Sequence, residues 1–170
     1  MKKSYFLGFA VSLILLGVAF LFRERLSDFK SLGLLGIFLI NLLGNATLFL
    51  PAPAIVSVVA GGLLYPAILV ALVASLGAGL GDMVGFFLGI SGKALFIKNH
   101  HKWYMLLQGV FKKYGSFIVF IVALIPNPFF DVIGILAGVF SFSFYRFFIP
   151  LFLGRLIRNL LLAYFGSLIY

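Results

Sequence analysis

The sequence predicts an all-α integral membrane protein. Of its 170 residues 64% are hydrophobic and only 10% are charged, whereas a soluble domain carries about 25% charged residues. The charges are also unevenly spread, since Asp82 is the only charge in residues 31–92 and Asp131 is the only charge in residues 114–145. Each of these stretches exceeds the roughly 20 apolar residues that one helical crossing of a bilayer needs. We therefore expect several helices packed into one membrane-embedded bundle.

The N-terminal residues 1–30 are expected to form a first transmembrane helix and a charged connection. Lys2 and Lys3 precede an apolar run that extends to residue 22, and no small-residue cleavage site follows it. The run therefore differs from a removable signal peptide. Basic residues favour the cytoplasmic side of a membrane, so we expect a cytoplasmic N-terminus. Because the chain carries no long polar tails, we expect the plasma membrane of a prokaryote.

A proline-broken stretch predicts a re-entrant hairpin, which enters and leaves the membrane on the same side. Residues 32–65 are apolar but contain Pro51 and Pro53, and the piece from Pro53 to Pro66 has only twelve residues between the prolines. Proline breaks a helix, and twelve helical residues span about 18 Å. The hydrocarbon core of a bilayer is about 30 Å thick, so this piece is too short to cross.

A second hairpin, residues 115–144, repeats this pattern around Pro126 and Pro128. Paired interrupted segments in corresponding positions are typical of an inverted-repeat membrane protein. We therefore expect the two hairpins to enter from opposite sides of the membrane. Each half also continues into a helix with a glycine next to a charge, and we expect Gly81–Asp82 and Gly154–Arg155 to correspond.

Three further helices complete the predicted core, which runs from residue 31 to residue 168. Residues 67–91 and 145–168 are long enough to span the membrane, and with the first helix they make about three full transmembrane helices. Residues 93–114 place lysines opposite aromatic residues and predict an interfacial amphipathic helix. The helix of residues 67–91 carries a four-residue spacing of glycines that lets another helix approach closely: Gly77, Gly81, Gly85 and Gly89.

Charged and amide side chains near the predicted membrane centre form the candidate site. Asp82 and Arg155 each lie nine residues from the expected end of their helix, which puts them about 14 Å inside. A charge at the bilayer centre costs at least about 2.5 kcal/mol on insertion scales, so such groups are expected to pair or to line a wet cavity. The set comprises Asp82, Asn127, Asp131, Arg155, Arg158 and Asn159, and the helix breaks expected at the same depth are Pro51, Pro53, Pro126 and Pro128.

Two structural roles compete with a transport role for these charges. Asp82 and Arg155 can form a buried ion pair that only fixes helix register. The Asp131 carboxylate can accept N–H groups at the start of the helix that follows Pro128. Both roles are compatible with transport, and the sequence leaves them open.

Several classes of site and partner are not expected. The chain has no cysteine, which excludes thiolate chemistry and sulfur-rich metal sites. His100 and His101 are adjacent, so on a helix they point about 100° apart and do not chelate one metal. Both lie outside the apolar core, which offers no serine-histidine dyad. We therefore expect no enzyme, no cofactor and no metal. We also expect no nucleic-acid partner, because the lysines flank apolar runs, as topology signals and contacts for anionic lipid do.

Two stretches resemble the DedA/VTT family of membrane proteins. IPNPFFDVIGILAG at residues 125–138 is similar to the proline-asparagine-proline segment of the vacuole-membrane-protein scramblase branch, and GAGLGDMVGFFLG at residues 77–89 to the family's glycine-rich helix with an acidic residue, here Asp82. The resemblance covers about residues 31–168. It implies two opposed re-entrant hairpins and the transfer of phospholipid or polyprenyl phosphate between leaflets.

The chain departs from many bacterial members of that family. They carry an acidic residue after the first proline element, where this chain has Ala54, and arginines around the second, where it has Leu124, Asn127 and Asp131. The departure favours energy-independent scrambling of lipid through a polar groove at the hairpins. One alternative is a proton-coupled transporter of a small solute or lipid carrier, in which Asp82 or Asp131 titrates. Another is a membrane scaffold that acts through its lysine-rich helix, and a homo-oligomer remains open.

Overall fold

The computed structural model describes residues 32–47, 51–99, 101–125 and 130–168, and these residues form six helices without a strand. The predicted first transmembrane helix within residues 1–30 lies outside the described residues. So do Pro126, Asn127 and Pro128. The helices are α1 Leu34–Ala46, α2 Pro51–Leu64, α3 Ala67–Asn99, α4 His101–Leu124, α5 Phe130–Val139 and α6 Phe144–Leu168.

Three of the described helices contain a stretch long and apolar enough to cross a membrane: Ala67–Ala94, Leu107–Leu124 and Phe144–Leu168. The first and third agree with the predicted spans. The second corrects the prediction, which began a short limb at Gly115 because Lys112 and Lys113 suggested an interface. Instead α4 continues through both lysines without a break, so its apolar part is long enough to cross.

The predicted amphipathic helix at residues 93–114 does not form a helix of its own. Its first part extends α3 to Asn99 and the rest belongs to α4. No proline occurs in residues 67–125, so nothing stops the helical hydrogen bonds of α3 before Asn99. The buried face of α4 includes Tyr104 and Phe111. Both lie against Phe140, with ring centroids 5.5 Å and 5.2 Å away.

The four glycines of α3 bring two short helices into close contact with it, which confirms the packing predicted for that stripe. A Cβ atom at Gly77 or Gly81 would collide with a backbone carbonyl of α1, and one at Gly89 would collide with the Ile135 carbonyl of α5. Gly85 lies against the Asp131 carbonyl at the start of α5. One helix therefore holds α1 along its first half and α5 along its second.

The last helix, α6, holds the remaining two helices in the same manner. A Cβ atom at Gly154 would lie 2.7 Å from the Phe120 carbonyl oxygen near the end of α4. Further along α6, Gly166 lies against the Val59 carbonyl of α2, while Gly62 of α2 lies against the Ala163 carbonyl. The helix therefore contacts α4 first and α2 afterwards.

The two long helices α3 and α6 run antiparallel against each other. Asn159 donates a hydrogen bond of 3.0 Å to the Ser75 hydroxyl, and the rings of Phe86 and Phe147 stack with centroids 4.9 Å apart. Because the higher number in α3 pairs with the lower number in α6, the two chains run in opposite directions. Their contact positions the buried charged groups.

Candidate functional site

The centre of the site is an ion pair between α3 and α6. The Arg155 guanidinium donates two parallel hydrogen bonds to the Asp82 carboxylate, from Nε to Oδ2 at 2.9 Å and from Nη2 to Oδ1 at 3.0 Å. Both side chains are nearly inaccessible, at 6% and 1% relative exposure. Such a bidentate pair fixes orientation as well as charge, and the low dielectric around it makes the loss of either partner costly.

Phe130, the first residue of α5, covers one face of the pair. The guanidinium carbon of Arg155 lies 4.7 Å from the centroid of the Phe130 ring, a distance at which a cation is attracted to the electron-rich face of an aromatic ring. Phe130 is itself buried and also contacts Phe147. The start of α5 thus closes the site on this side.

A second buried arginine, Arg158, lies one turn further along α6. Its Nε and Nη2 donate to the Asn159 side-chain oxygen at 3.3 Å and 3.2 Å, and Asn159 in turn donates to Ser75. No described carboxylate forms an ion pair with Arg158. The three charges of Asp82, Arg155 and Arg158 therefore sum to one positive charge.

Asp131, the only other described acid, is the second residue of α5. It is half-buried, and its carboxylate accepts no hydrogen bond from another described residue. Phe129, the residue before α5, is not described, so the capping role of Asp131 stays a prediction. A carboxylate in the first turn still interacts favourably with the positive end of the helix.

The structure describes two of the four prolines at which helix breaks were predicted. Pro51 and Pro53 lie in the first turn of α2 rather than at the end of α1. Proline is favoured at the start of a helix because its fixed φ is already helical and its missing N–H is not needed there. The break therefore precedes both prolines, between Ala46 and Pro51. Pro126 and Pro128, with the predicted site residue Asn127, fall outside the described residues.

The sequence analysis missed Ser75, Phe130 and a second polar cluster. Ser75 lies two helical turns before Asp82, and that spacing alone places the two on one face of α3. The second cluster joins α1 to α2, where the Asn41 amide donates to the Ser57 hydroxyl at 3.0 Å and the Asn45 amide donates to the Asn41 carbonyl at 2.7 Å. The Asn41 side-chain oxygen is buried and has no hydrogen-bond partner among the described residues.

Among the described residues no group of three or more histidine, aspartate or glutamate side chains is placed to hold a metal ion. The polar groups of the site are instead two guanidiniums, one paired carboxylate, an amide and a hydroxyl. Guanidinium and amide groups donate hydrogen bonds, and such a donor set suits phosphate or carboxylate oxygens.

Comparison with known protein families supports the assignment of the chain as a membrane protein. The family model described as the VTT domain matches residues 50–168, which include both long helices and every charged group of the site. No curated protein and no solved structure matches the chain. Together with the three apolar helices, the match over most of the sequence shows that the chain is an integral membrane protein that belongs to the DedA/VTT family.

Proposed function

We propose that this protein moves lipids between the two leaflets by energy-independent scrambling, along a polar route at the Asp82–Arg155 pair. The observation that carries the proposal is that this pair lies where two short helices meet. Along α3, helix α1 ends at Ala46 beside Gly81, and α5 begins at Phe130 beside the pair. Charged side chains and interrupted backbone therefore occur together.

Helix lengths support a re-entrant course for α1, α2 and α5. Helices α1, α2 and α5 contain 13, 14 and 10 residues, or about 20, 21 and 15 Å at 1.5 Å per residue. Each is shorter than the hydrocarbon core of about 30 Å. Backbone that is interrupted within a membrane is tolerated only where it is buried in protein or lines water, so we infer that the breaks face a hydrated pocket.

Helix packing supports an inverted repeat. The contact of Gly77 with Phe38 and Leu42 corresponds to the contact of Gly154 with Phe120 and Leu124. Because α3 and α6 are antiparallel, we infer that the two halves are related by a twofold axis in the membrane plane.

The glycine contacts favour one register for the proposed repeat. A separation of 77 residues relates Gly77 to Gly154 and Gly89 to Gly166. The predicted match of Gly81 with Gly154 is one turn away from it. In the register that the contacts favour, the counterpart of Asp82 is Asn159.

The chemistry of the site suits a phospholipid headgroup. Arg158 can bind phosphate oxygens, because its positive charge has no described carboxylate partner. Asp82 and Arg155 can separate transiently and receive the opposite charges of a zwitterionic headgroup, while the acyl chains stay in the bilayer. Such a route needs no cofactor and no bond breaking, so we propose a transporter rather than an enzyme. Polyprenyl phosphate would satisfy the same guanidinium donors.

The proposal is tested by reconstituting the full chain into vesicles that contain a fluorescent phospholipid. Dithionite quenches only the outer-leaflet probe, so scrambling raises the quenched fraction from about half toward completion. We expect Arg158→Gln to slow this exchange at least tenfold. Tyr164→Phe, an exposed change on the same helix, is the matched control and should leave it unchanged. Quenching equal to that of protein-free vesicles would reject the proposal.

A proton-coupled transporter is the second candidate, and the carboxylate of Asp131 is the observation that favours it. A half-buried acid whose carboxylate accepts no hydrogen bond from a described residue is available to exchange a proton. This candidate predicts that an imposed pH gradient drives net lipid flux and that Asp131→Asn abolishes the response. Flux that is independent of the gradient in both proteins would leave scrambling as the mechanism.

We also propose that the N-terminus lies in the cytoplasm and that the protein belongs to a prokaryotic plasma membrane.

A further inference from the structure

We infer that one end of the molecule binds anionic lipid headgroups. This binding surface is separate from the buried site, and the inference does not require that the chain scrambles lipid. It consists of the side chains of Lys93, Lys112, Lys113 and Arg146, which come from the far part of α3, the middle of α4 and the start of α6.

Direct contacts bring these cations to the same end. Lys93 donates a 2.8 Å hydrogen bond to the hydroxyl of Ser141, in the turn between α5 and α6. Arg146 donates to the carbonyl of Lys112 at 3.3 Å, while the Ser116 hydroxyl donates to the Arg146 carbonyl at 2.9 Å. The turn from residue 140 to residue 143 therefore joins the basic ends of three helices.

Exposed aromatic side chains accompany the cations. Tyr114 and Tyr145 are 51% and 72% exposed, and the Lys113 ammonium lies 5.0 Å from the Tyr114 ring centroid. Amphipathic aromatic rings are enriched at the level of lipid headgroups. Cations alternating with exposed tyrosines at the ends of membrane helices fit a lipid surface better than an acidic soluble protein.

The described part of the opposite end carries no charged residue. Its described residues are 32–35, 64–69 and 165–168, which contain no lysine, arginine, aspartate or glutamate. Contacts between Gly33 and Tyr65 and between Gly166 and Val59 join the helix ends there. One end carries four cations and no described acid, whereas the described part of the other end carries no charge. The described parts of the two ends therefore differ electrostatically.

Quenching of the single tryptophan provides a direct measurement of lipid binding. Trp103 is the only tryptophan of the chain, and it precedes Tyr104 in α4, near the basic end. The full chain is reconstituted into vesicles in which dibrominated phosphatidylglycerol or dibrominated phosphatidylcholine replaces part of the lipid at matched mole fractions. The ratio of the two association constants follows from the extent of quenching.

We expect phosphatidylglycerol to bind at least fivefold more strongly at low ionic strength, because one basic side chain near a membrane surface contributes roughly a fivefold factor. The preference should fall toward unity as salt screens the charges. Replacing Lys93, Lys112 and Lys113 together by glutamine should remove most of it, while replacing the same three by arginine should retain it.

Equal quenching by both lipids in the unmodified chain would overturn the inference, as would a preference that survives the triple glutamine variant. The arginine variant guards against misfolding, since it alters the same positions and keeps the charge. Dithionite assays on the same vesicles separate the two proposals. Preferential quenching without scrambling would reject only the proposed function, and scrambling without preferential quenching would reject only this inference.

Discussion

The two halves of the molecule have the same packing but different side chains at corresponding positions. In the first half, α2 packs on α6 through Gly62 and Gly166, each against a backbone carbonyl of the other helix. In the second half, α5 packs on α3 through Gly138 and Gly89 in the same reciprocal way. The two crossings are thus built alike, with a glycine from each helix at the contact.

The chemistry differs between the halves. The carboxylate of the ion pair comes from α3, in the first half, and the two buried guanidiniums come from α6, in the second. Helix α1 contains buried asparagines, whereas an aromatic cluster around Phe111 and Phe140 lies between α4 and the end of α5. The difference teaches that glycines determine the backbone arrangement, while charges of opposite sign in the two halves give the site its polarity.

The largest expected effect is on the ion pair, which joins the two halves. Asp82→Ala leaves the Arg155 guanidinium buried without its partner, and breaking a buried pair in this way costs about 3–5 kcal/mol. We expect a corresponding loss of stability in detergent, measured by reversible denaturation with sodium dodecyl sulfate. The exchanged pair Asp82→Arg with Arg155→Asp tests the geometry, because it restores the charges in reverse order. Stability unchanged in Asp82→Ala would contradict the buried pair.

The second prediction tests whether the two crossings are equivalent. A methyl group at Gly89 or at Gly166 would meet a backbone carbonyl of the facing helix, and such overpacking typically costs about 1–3 kcal/mol. We therefore expect Gly89→Ala and Gly166→Ala to lower the melting temperature in detergent by similar amounts. Gly92→Ala is the control, since nothing lies within 4 Å of a Cβ there, and alanine favours a helix over glycine. Sensitivity at only one crossing would break the equivalence.

Much of this arrangement can be predicted from the sequence. The four-residue spacing of glycines indicated the close contacts of α3, and the isolated charges Asp82 and Arg155 indicated a buried pair, because an unpaired charge in an apolar helix is costly. The start of α3 and the bounds of α6 followed from the position and length of their apolar runs. Local composition is sufficient for these features, since each depends on one helix or on one strongly unfavourable group.

Other features depend on partners that are distant in the sequence. Phe130 covers Arg155 only because α5 begins beside α3, and no local pattern distinguishes it from the other phenylalanines. The amphipathic pattern of residues 93–114 suggested a separate helix, but helix continuity depends on the absence of a breaker rather than on polarity. Similarly, the sequence alone does not determine the register of the proposed repeat, because glycines at four-residue spacing offer several equivalent alignments.

The third prediction concerns the polar cluster that joins α1 to α2. By the correspondence of Phe38 with Phe120, the counterpart of Asn41 is Ala123, a fully buried apolar residue. Removing one partner, as in Ser57→Ala, leaves a buried amide unsatisfied and should cost about 1–3 kcal/mol. The double variant Asn41→Leu with Ser57→Ala should recover most of that stability, because no buried polar group remains without a partner. Denaturation of the three proteins side by side measures this, and a double variant less stable than Ser57→Ala would contradict it.

The smallest effect is expected at Phe130, where the second half covers the charge pair. Phe130→Leu keeps an apolar side chain of similar size but removes the ring face that lies 4.7 Å from Arg155. Cation–π contacts contribute about 0.5–1 kcal/mol at exposed sites and about 2 kcal/mol when desolvated. Loss of stability in Phe130→Leu should therefore be smaller than in Asp82→Ala. In the Asp82→Ala background the same substitution should cost more, because the unpaired guanidinium then depends on the ring for its remaining stabilisation. A double-mutant cycle measures this coupling, and strictly additive effects would show that Phe130 contributes only by excluding lipid from the pair.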